Sequence, residues 1–260
     1  MREVDDEKNL RKRKTVSIAL KAAVWFCGIL TVGILVYILS FILIRGIPKI
    51  NMEFLFGEYN SETLSAFSSV VATVEMIVIS LLIAVPVGVF CAIYLSEYAK
   101  RGNKAVKVIR LAVDTLAGIP SIVYGLFGMI VFVYAFGFKA SILSGICTIS
   151  IMILPVIISS SEEAIKAVPD MYREGSLALG ATRLRTVFKV VLPSAMPGIL
   201  SGIILAIGRI VGESAALIFT SGTNVLKDPT LNLLASQRTL AIHMYMLANE
   251  GLPHSRDMAF

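Results

Sequence analysis

The sequence predicts an all-α integral membrane protein. Hydrophobic residues make up 56% of its 260 positions and the mean hydropathy is +0.80, which is more apolar surface than one soluble core can bury. Five stretches approach or exceed the roughly 20 apolar residues that carry a helix across a hydrocarbon layer about 30 Å thick. The basic residues also collect on alternate sides of those stretches, as they do in multi-pass membrane proteins.

The first span is residues 22–44, which contain no Asp, Glu, Lys or Arg. Arg11, Lys12, Arg13 and Lys14 precede it as in a secretory leader. The apolar run is too long for one and lacks a small-x-small cleavage site, so it reads as an uncleaved anchor behind a basic tail at 1–21. The second span covers 76–95 behind Glu75, the third 115–138 behind Asp114 and the fourth 140–161. The fifth is 190–219, interrupted by Arg209 and Glu213. Glu75 and Asp114 sit where a carboxylate can reach water, as boundary residues. Gly118 with Pro120, and Pro86 with Gly88, can kink spans three and two, because proline removes a backbone donor that neighbouring helices can replace.

Seven of the 24 Lys and Arg precede span one, five lie between spans two and three (Lys100, Arg101, Lys104, Lys107, Arg110), and five lie between spans four and five (Lys166, Arg173, Arg183, Arg185, Lys189). The opposite side holds Arg45, Lys49, Lys139, Lys227, Arg238 and Arg256, with Glu53, Glu58 and Glu62 in the loop after span one. This asymmetry puts the N-terminus in the cytoplasm. The net charge of +6 therefore reflects topology and not nucleic-acid binding.

Other chemistry finds little support. Cys27, Cys91 and Cys147 fall in three different spans without paired spacing and read as small core residues. His243 and His254 have no cysteine or carboxylate cluster at ligand spacing, so no metal site is expected. Ser159, Ser160 and Ser161 lack a histidine base and mark a span end. No Gly-Lys pair occurs, which removes the phosphate-binding loop of ATPases.

Two features carry function. Arg209 and Glu213 are four apart, share a helical face and can pair. Charges at that depth cost about 2.5–3.5 kcal/mol and avoid lipid, so they form either a structural ion pair or part of a polar path. The longest inner loop, 161–193, reads as two short helices. Pro169 opens the first and Gly180 ends it, while Thr182 caps a second that carries Leu184, Val187, Phe188 and Val191 on one stripe. Such a hairpin lies on the inner leaflet or docks a cytoplasmic partner.

That loop resembles the EAA loop of ABC importer permeases: Glu174, Gly175 and Ser176, three residues, Gly180, nine residues, Val190, Val191, Leu192 and Pro193. Gly175 and Ser176 replace two alanines and Val190 an isoleucine. The stretches 116–128 (Leu-Ala-Gly-Ile-Pro-Ser-Ile-Val-Tyr-Gly-Leu-Phe-Gly) and 208–214 (Gly-Arg-Ile-Val-Gly-Glu-Ser) resemble phosphate permeases, and 239–245 is more similar to the PstA type. The resemblance implies a type I permease fold with a core at 65–260 and a sixth span, expected where the chain stops at 257–260. It implies that Glu174, Gly175, Ser176, Gly180, Leu184, Val187, Phe188, Leu192 and Pro193 couple to an ATPase. It strengthens the reading of Arg209 and Glu213 as part of a path for inorganic phosphate, in which Arg209 offers a transient partner and Glu213 keeps its orientation; the kink at Gly118 and Pro120 suits a gate, as it also suits an ordinary membrane helix. The implied partners are a homologous PstC-like permease, cytoplasmic ATP-binding subunits and an extracytoplasmic phosphate-binding protein, in a bacterial cell membrane. No cofactor and no catalytic residue are implied. Molybdate or sulfate is the alternative cargo. A membrane-embedded enzyme or receptor is the rival class, and it predicts a catalytic cluster or sensor domain that the sequence lacks.

Overall fold

The computed structural model describes residues 2–57, 65–99, 102–226 and 231–249. Glu58, Glu62, Lys100, Arg101, Lys227, His254, Arg256 and the stretch 257–260, where a sixth span is expected, lie outside the described residues. Every regular element among those described is helical. The chain divides into two units, Met1–Asn51 and Met52–Ala259.

The first unit is helix α1 (Arg2–Gly46) and a tight turn at Ile47–Lys49. The stretch set apart as a basic tail is the start of this same helix. Its 31-residue segment Val16–Gly46 meets the length and hydropathy of a membrane span, at about 1.5 Å per residue. Large side chains such as Trp25, Phe26 and Tyr37 are exposed around it, and so is Cys27, which is not a core residue.

The second unit contains α2 (Met52–Phe56), α3 (Phe67–Ile93), α4 (Lys104–Ala117), α5 (Ser121–Gly128), α6 (Ile142–Lys166), α7 (Asp170–Ala178), α8 (Arg183–Thr186), α9 (Leu192–Val211), α10 (Ala215–Thr220) and α11 (Leu240–Asn249). Wider π turns at Tyr94–Tyr98 and Met129–Ala135 extend α3 and α5, and one at Val187–Val191 joins α8 to α9. By length and apolarity the spans are Val16–Gly46, Phe67–Tyr98, Ile142–Lys166 and Arg183–Val211, with α4 and α5 forming a fifth, bent one.

Helix α6 is the axis of the core. Ile142, Ile146, Ile149, Ile153 and Ile157 are fully buried on it, against Met76 of α3, Tyr124 of α5, Ala206 and Ile210 of α9, Leu217 of α10 and Ile242 of α11. A second cluster at its other end gathers Ile93, Ile165, Val168, Val187, Val191, Ala195 and Ile199. Lipid tails are as apolar as leucine, so helices in a membrane gain from close backbone approach through small residues. Gly198 faces Ala164 and Gly202 faces Ser160, an antiparallel seam of small residues between α9 and α6. Ser160 and Ser161 are thus inside a packed helix and do not end it. Gly145 packs on Met76 and Gly88 on Ile157, which sets α3 parallel to α6. Gly88 is therefore a close-approach position, and α3 runs unbroken through Pro86.

The apolar runs and the helices differ in four places. Span two begins at Phe67, so Glu75 is inside α3 and only 9% exposed. Span three is two helices, bent by 103° at Gly118-Ile119-Pro120. Span four continues to Lys166, and the second half of the expected hairpin is the beginning of span five, which ends at Val211. Contacts between elements decide these boundaries, and a hydropathy window does not see them.

Among the described residues, the irregular segment after α10 exchanges hydrogen bonds with the helices around it. The first free N–H groups of α6, at Ile142 and Leu143, donate to the Ala235 and Leu233 carbonyls at 3.0 and 2.8 Å, and Leu240 N–H donates to Thr73 Oγ1 at 2.9 Å.

Candidate functional site

Two broken helices meet beside α6. At the first break Pro120 has no N–H to offer the Leu116 carbonyl four residues back. The Tyr124 hydroxyl, 4% exposed as a residue, donates to that carbonyl at 2.8 Å. One phenol thus braces the corner between α4 and α5. Beyond it α5 lies on α10 so tightly that a Cβ at Gly125 would stand 2.7 Å from Ala216 Cα.

The second break, Gly212-Glu213-Ser214, separates the two charges of span five. Arg209 is in the last turn of α9, and Glu213 lies beyond its end. They do not share a helical face. Glu213 is 8% exposed, and its Oε1 accepts the Ala216 N–H at 3.0 Å, capping α10. Among the described residues Arg209 makes no ion pair. The α6–α9 register, Ala164 on Gly198 and Ser160 on Gly202, continues to place Arg209 about level with Ile153, near the middle of α6.

Helix α7 and the turn after it form a second candidate surface. No residue of α7 is buried. Asp170 occupies its first turn, where a carboxylate favours the helix dipole. Glu174 lies one turn further on and is exposed. The helix ends in a Schellman turn: Gly180 N–H donates to Leu177 O at 2.9 Å, Ala181 N–H donates to Ser176 O at 3.2 Å, and Gly180 has φ +84°. A side chain at 180 would be strained in that left-handed conformation. The chain re-enters a helix at Thr182, whose Oγ1 accepts the Arg185 N–H at 3.4 Å. The Thr186 hydroxyl donates to Thr182 O at 3.2 Å, which leaves it to accept from the Ser176 hydroxyl at 2.9 Å and tie α7 to α8.

The expected apolar stripe divides in two. Val187 and Val191 are each 1% exposed and belong to the core, whereas Leu184 and Phe188 stay outside with Leu177 and Leu179, the last 90% exposed. Gly175 is exposed, Leu192 packs against the lower core, and Pro193 follows the π turn on the outer side of the helix.

Sequence reasoning missed what lies behind α7. Arg173 Nε and Nη2 both reach Glu97 Oε1 at 2.9 Å, Nη1 donates to Val168 O at 2.7 Å and Asp170 Oδ1 at 2.9 Å, and Nη2 donates to Ile165 O at 2.8 Å. Arg183 donates to the Glu97 carbonyl and lies over the Tyr98 ring at 5.3 Å. Glu162 holds Arg110 at 2.7 Å and Lys166 at 2.6 Å. A cleft of 850 Å³ opens beside these groups, with Lys107, Arg110, Lys166, Arg173 and Arg183 on its walls. The legible hint was Glu97 itself, since a carboxylate near a helix C-terminus opposes the dipole unless a cation holds it.

This fold of broken spans around a central helix, with an exposed helical turn at one end, defines a multi-pass membrane permease. Residues 84–248 match the family described as binding-protein-dependent transport system inner membrane component, and the chain belongs to that family. It is a non-catalytic transport subunit, and permeases of this kind work with ATPase subunits and a binding protein. A probable ABC transporter permease protein, YqgI of Bacillus subtilis, is 34% identical over 241 residues, 87% of this chain and 81% of that protein. The phosphate transport system permease protein PstA 1 of Mycobacterium tuberculosis is 40% identical over 144 residues, 55% of this chain and 47% of that protein. A PstA homolog of Mycoplasma pneumoniae is 33% identical over 230 residues, 85% of this chain and 34% of that protein.

Proposed function

We propose that this permease imports inorganic phosphate. The observation that carries the reading is Arg209 at mid-depth in the bundle, while the one nearby carboxylate in sequence, Glu213, is engaged in capping α10. A guanidinium held there without an ion pair among the described residues suits the oxygens of a tetrahedral anion, which it can meet in bidentate geometry. Glu213 keeps the break in shape and, one turn beyond Arg209, weakens anion capture enough for release. The PstA names of two relatives supply the cargo. The bend at Gly118 and Pro120, braced by Tyr124, serves as the gate.

In this reading the N-terminus is cytoplasmic, and α7 with its turn fits a groove of an ATP-binding subunit. Glu174, Gly175, Ser176, Gly180, Leu184 and Phe188 form or shape the docking surface. Val187 and Leu192 seat it on the bundle, and Pro193 in the first turn of α9 starts the span that the coupling surface leads into. A homologous PstC-like permease completes the path, and an extracytoplasmic phosphate-binding protein delivers the anion. ATP-driven closure of the partner subunits shifts the permease between two access states.

Uptake of labelled phosphate into vesicles carrying the assembled complex tests this, with sulfate and molybdate as competitors. Suppression by unlabelled phosphate alone is the expected result. Suppression by either competitor would reassign the cargo, and ATP hydrolysis without uptake would remove phosphate altogether.

A further inference from the structure

We infer that Arg173, clamped on Glu97, is the positioning residue that carries movement of α7 into the membrane helices. The inference rests on the reading above, in which an ATPase subunit docks on α7. The docking side of that helix presents Glu174 and Leu177, both exposed, whereas Arg173 points inward with its side chain 19% exposed and meets Glu97 at 8%. Helix α7 buries no residue of its own, so little apolar packing ties it to the bundle. The polar contacts of Arg173 do so, beside the hydroxyl pair of Ser176 and Thr186.

One guanidinium joins three elements. From α7 it reaches the Ile165 carbonyl in the last turn of α6, the Val168 carbonyl just past that helix, and the Glu97 carboxylate in the π turn that ends the span Phe67–Tyr98. Helix ends leave carbonyls without intrahelical partners, and a planar fork can engage several of them at once where an ammonium cannot. On the far side of the Gly180 turn, Arg183 takes the Glu97 backbone carbonyl and the face of Tyr98. Both arms of the hairpin therefore hold the same π turn, which extends α3. Displacement of α7 must drag the inner end of α3 or break a desolvated ion pair. Because α3 is packed along α6 through Gly88 and Gly145, the displacement passes to the core.

The test uses the assembled complex in proteoliposomes with the loaded binding protein, and reads phosphate imported per ATP hydrolysed. Arg173→Gln and Arg173→Lys change the clamp, and Glu97→Gln weakens it while leaving the Ile165 and Val168 carbonyls bonded. The expected result is a complex that assembles and hydrolyses ATP at the wild-type rate while import per ATP falls about tenfold in Arg173→Gln, within the range of ordinary coupling free energies. Arg173→Lys and Glu97→Gln should fall by less. An unchanged ratio in all three variants overturns the inference. Loss of assembly or of ATP hydrolysis in step with import, in Glu97→Gln as well as Arg173→Gln, also overturns it, because the clamp is then only a fold element. Failure of the reading beneath it is told apart by the wild type, which would then import no phosphate or bind no ATPase through α7, and the inference falls with it.

Discussion

Arg209 and Glu213 show how one helix break changes the meaning of two residues. At i and i+4 on a continuous helix they would neutralise each other. With α9 ended at Val211 the carboxylate caps α10, and Arg209 stays in the last turn of α9 without it. Arg209→Gln should then abolish most phosphate uptake while leaving the complex assembled and its thermal stability near that of wild type. Unchanged uptake and apparent affinity would remove the path role. Glu213 separates charge from geometry. Glu213→Gln keeps an oxygen for the Ala216 N–H and should fold normally, whereas Glu213→Ala loses the cap and should cost about 1 kcal/mol of stability. Thermal unfolding in detergent compares the two.

At the scale of elements, the packing of α5 on α10 depends on backbone approach. A methyl at Gly125 would stand 2.7 Å from Ala216 Cα and 2.9 Å from its carbonyl oxygen, and backbone on both sides cannot move aside as a side chain can. Gly125→Ala should destabilise by about 1–3 kcal/mol, the ordinary range for overpacking. Gly208→Ala, on the same permease core, meets nothing within 4 Å and should be neutral. A lower melting temperature for the first variant alone is the expected outcome, and equal melting of both would contradict the close approach. The hairpin was largely legible beforehand because its signals are local: Pro169 before α7, Gly180 at positive φ and Thr182 as a cap all stand where the spacing placed them. The fate of the stripe was not legible. Periodicity groups Leu184, Val187, Phe188 and Val191, but burial against α3 and α6 takes only the two valines.

For the whole molecule the testable quantity is orientation. With the native Cys27, Cys91 and Cys147 replaced, Leu179→Cys in the exposed turn should react with a membrane-impermeant thiol reagent only from the cytoplasmic side, and Lys139→Cys, before α6, only from the opposite side. Labelling of both from one side would refute the alternation drawn from the basic residues. The sequence by itself determined that this chain crosses a membrane repeatedly, about where it does so, and where the turn at Gly180 and the cap at Thr182 fall. Those properties depend on hydropathy, charge and short-range turn chemistry, which each segment carries alone. Only the tertiary structure decided that span three turns through 103°, that Glu213 caps a separate helix, and that Arg173 and Glu97, 76 residues apart, meet behind α7. The physical reason is that lipid supplies no donor or acceptor. Every carbonyl freed by a proline or a helix end must find its partner on another element, and that partner is defined by how the helices pack.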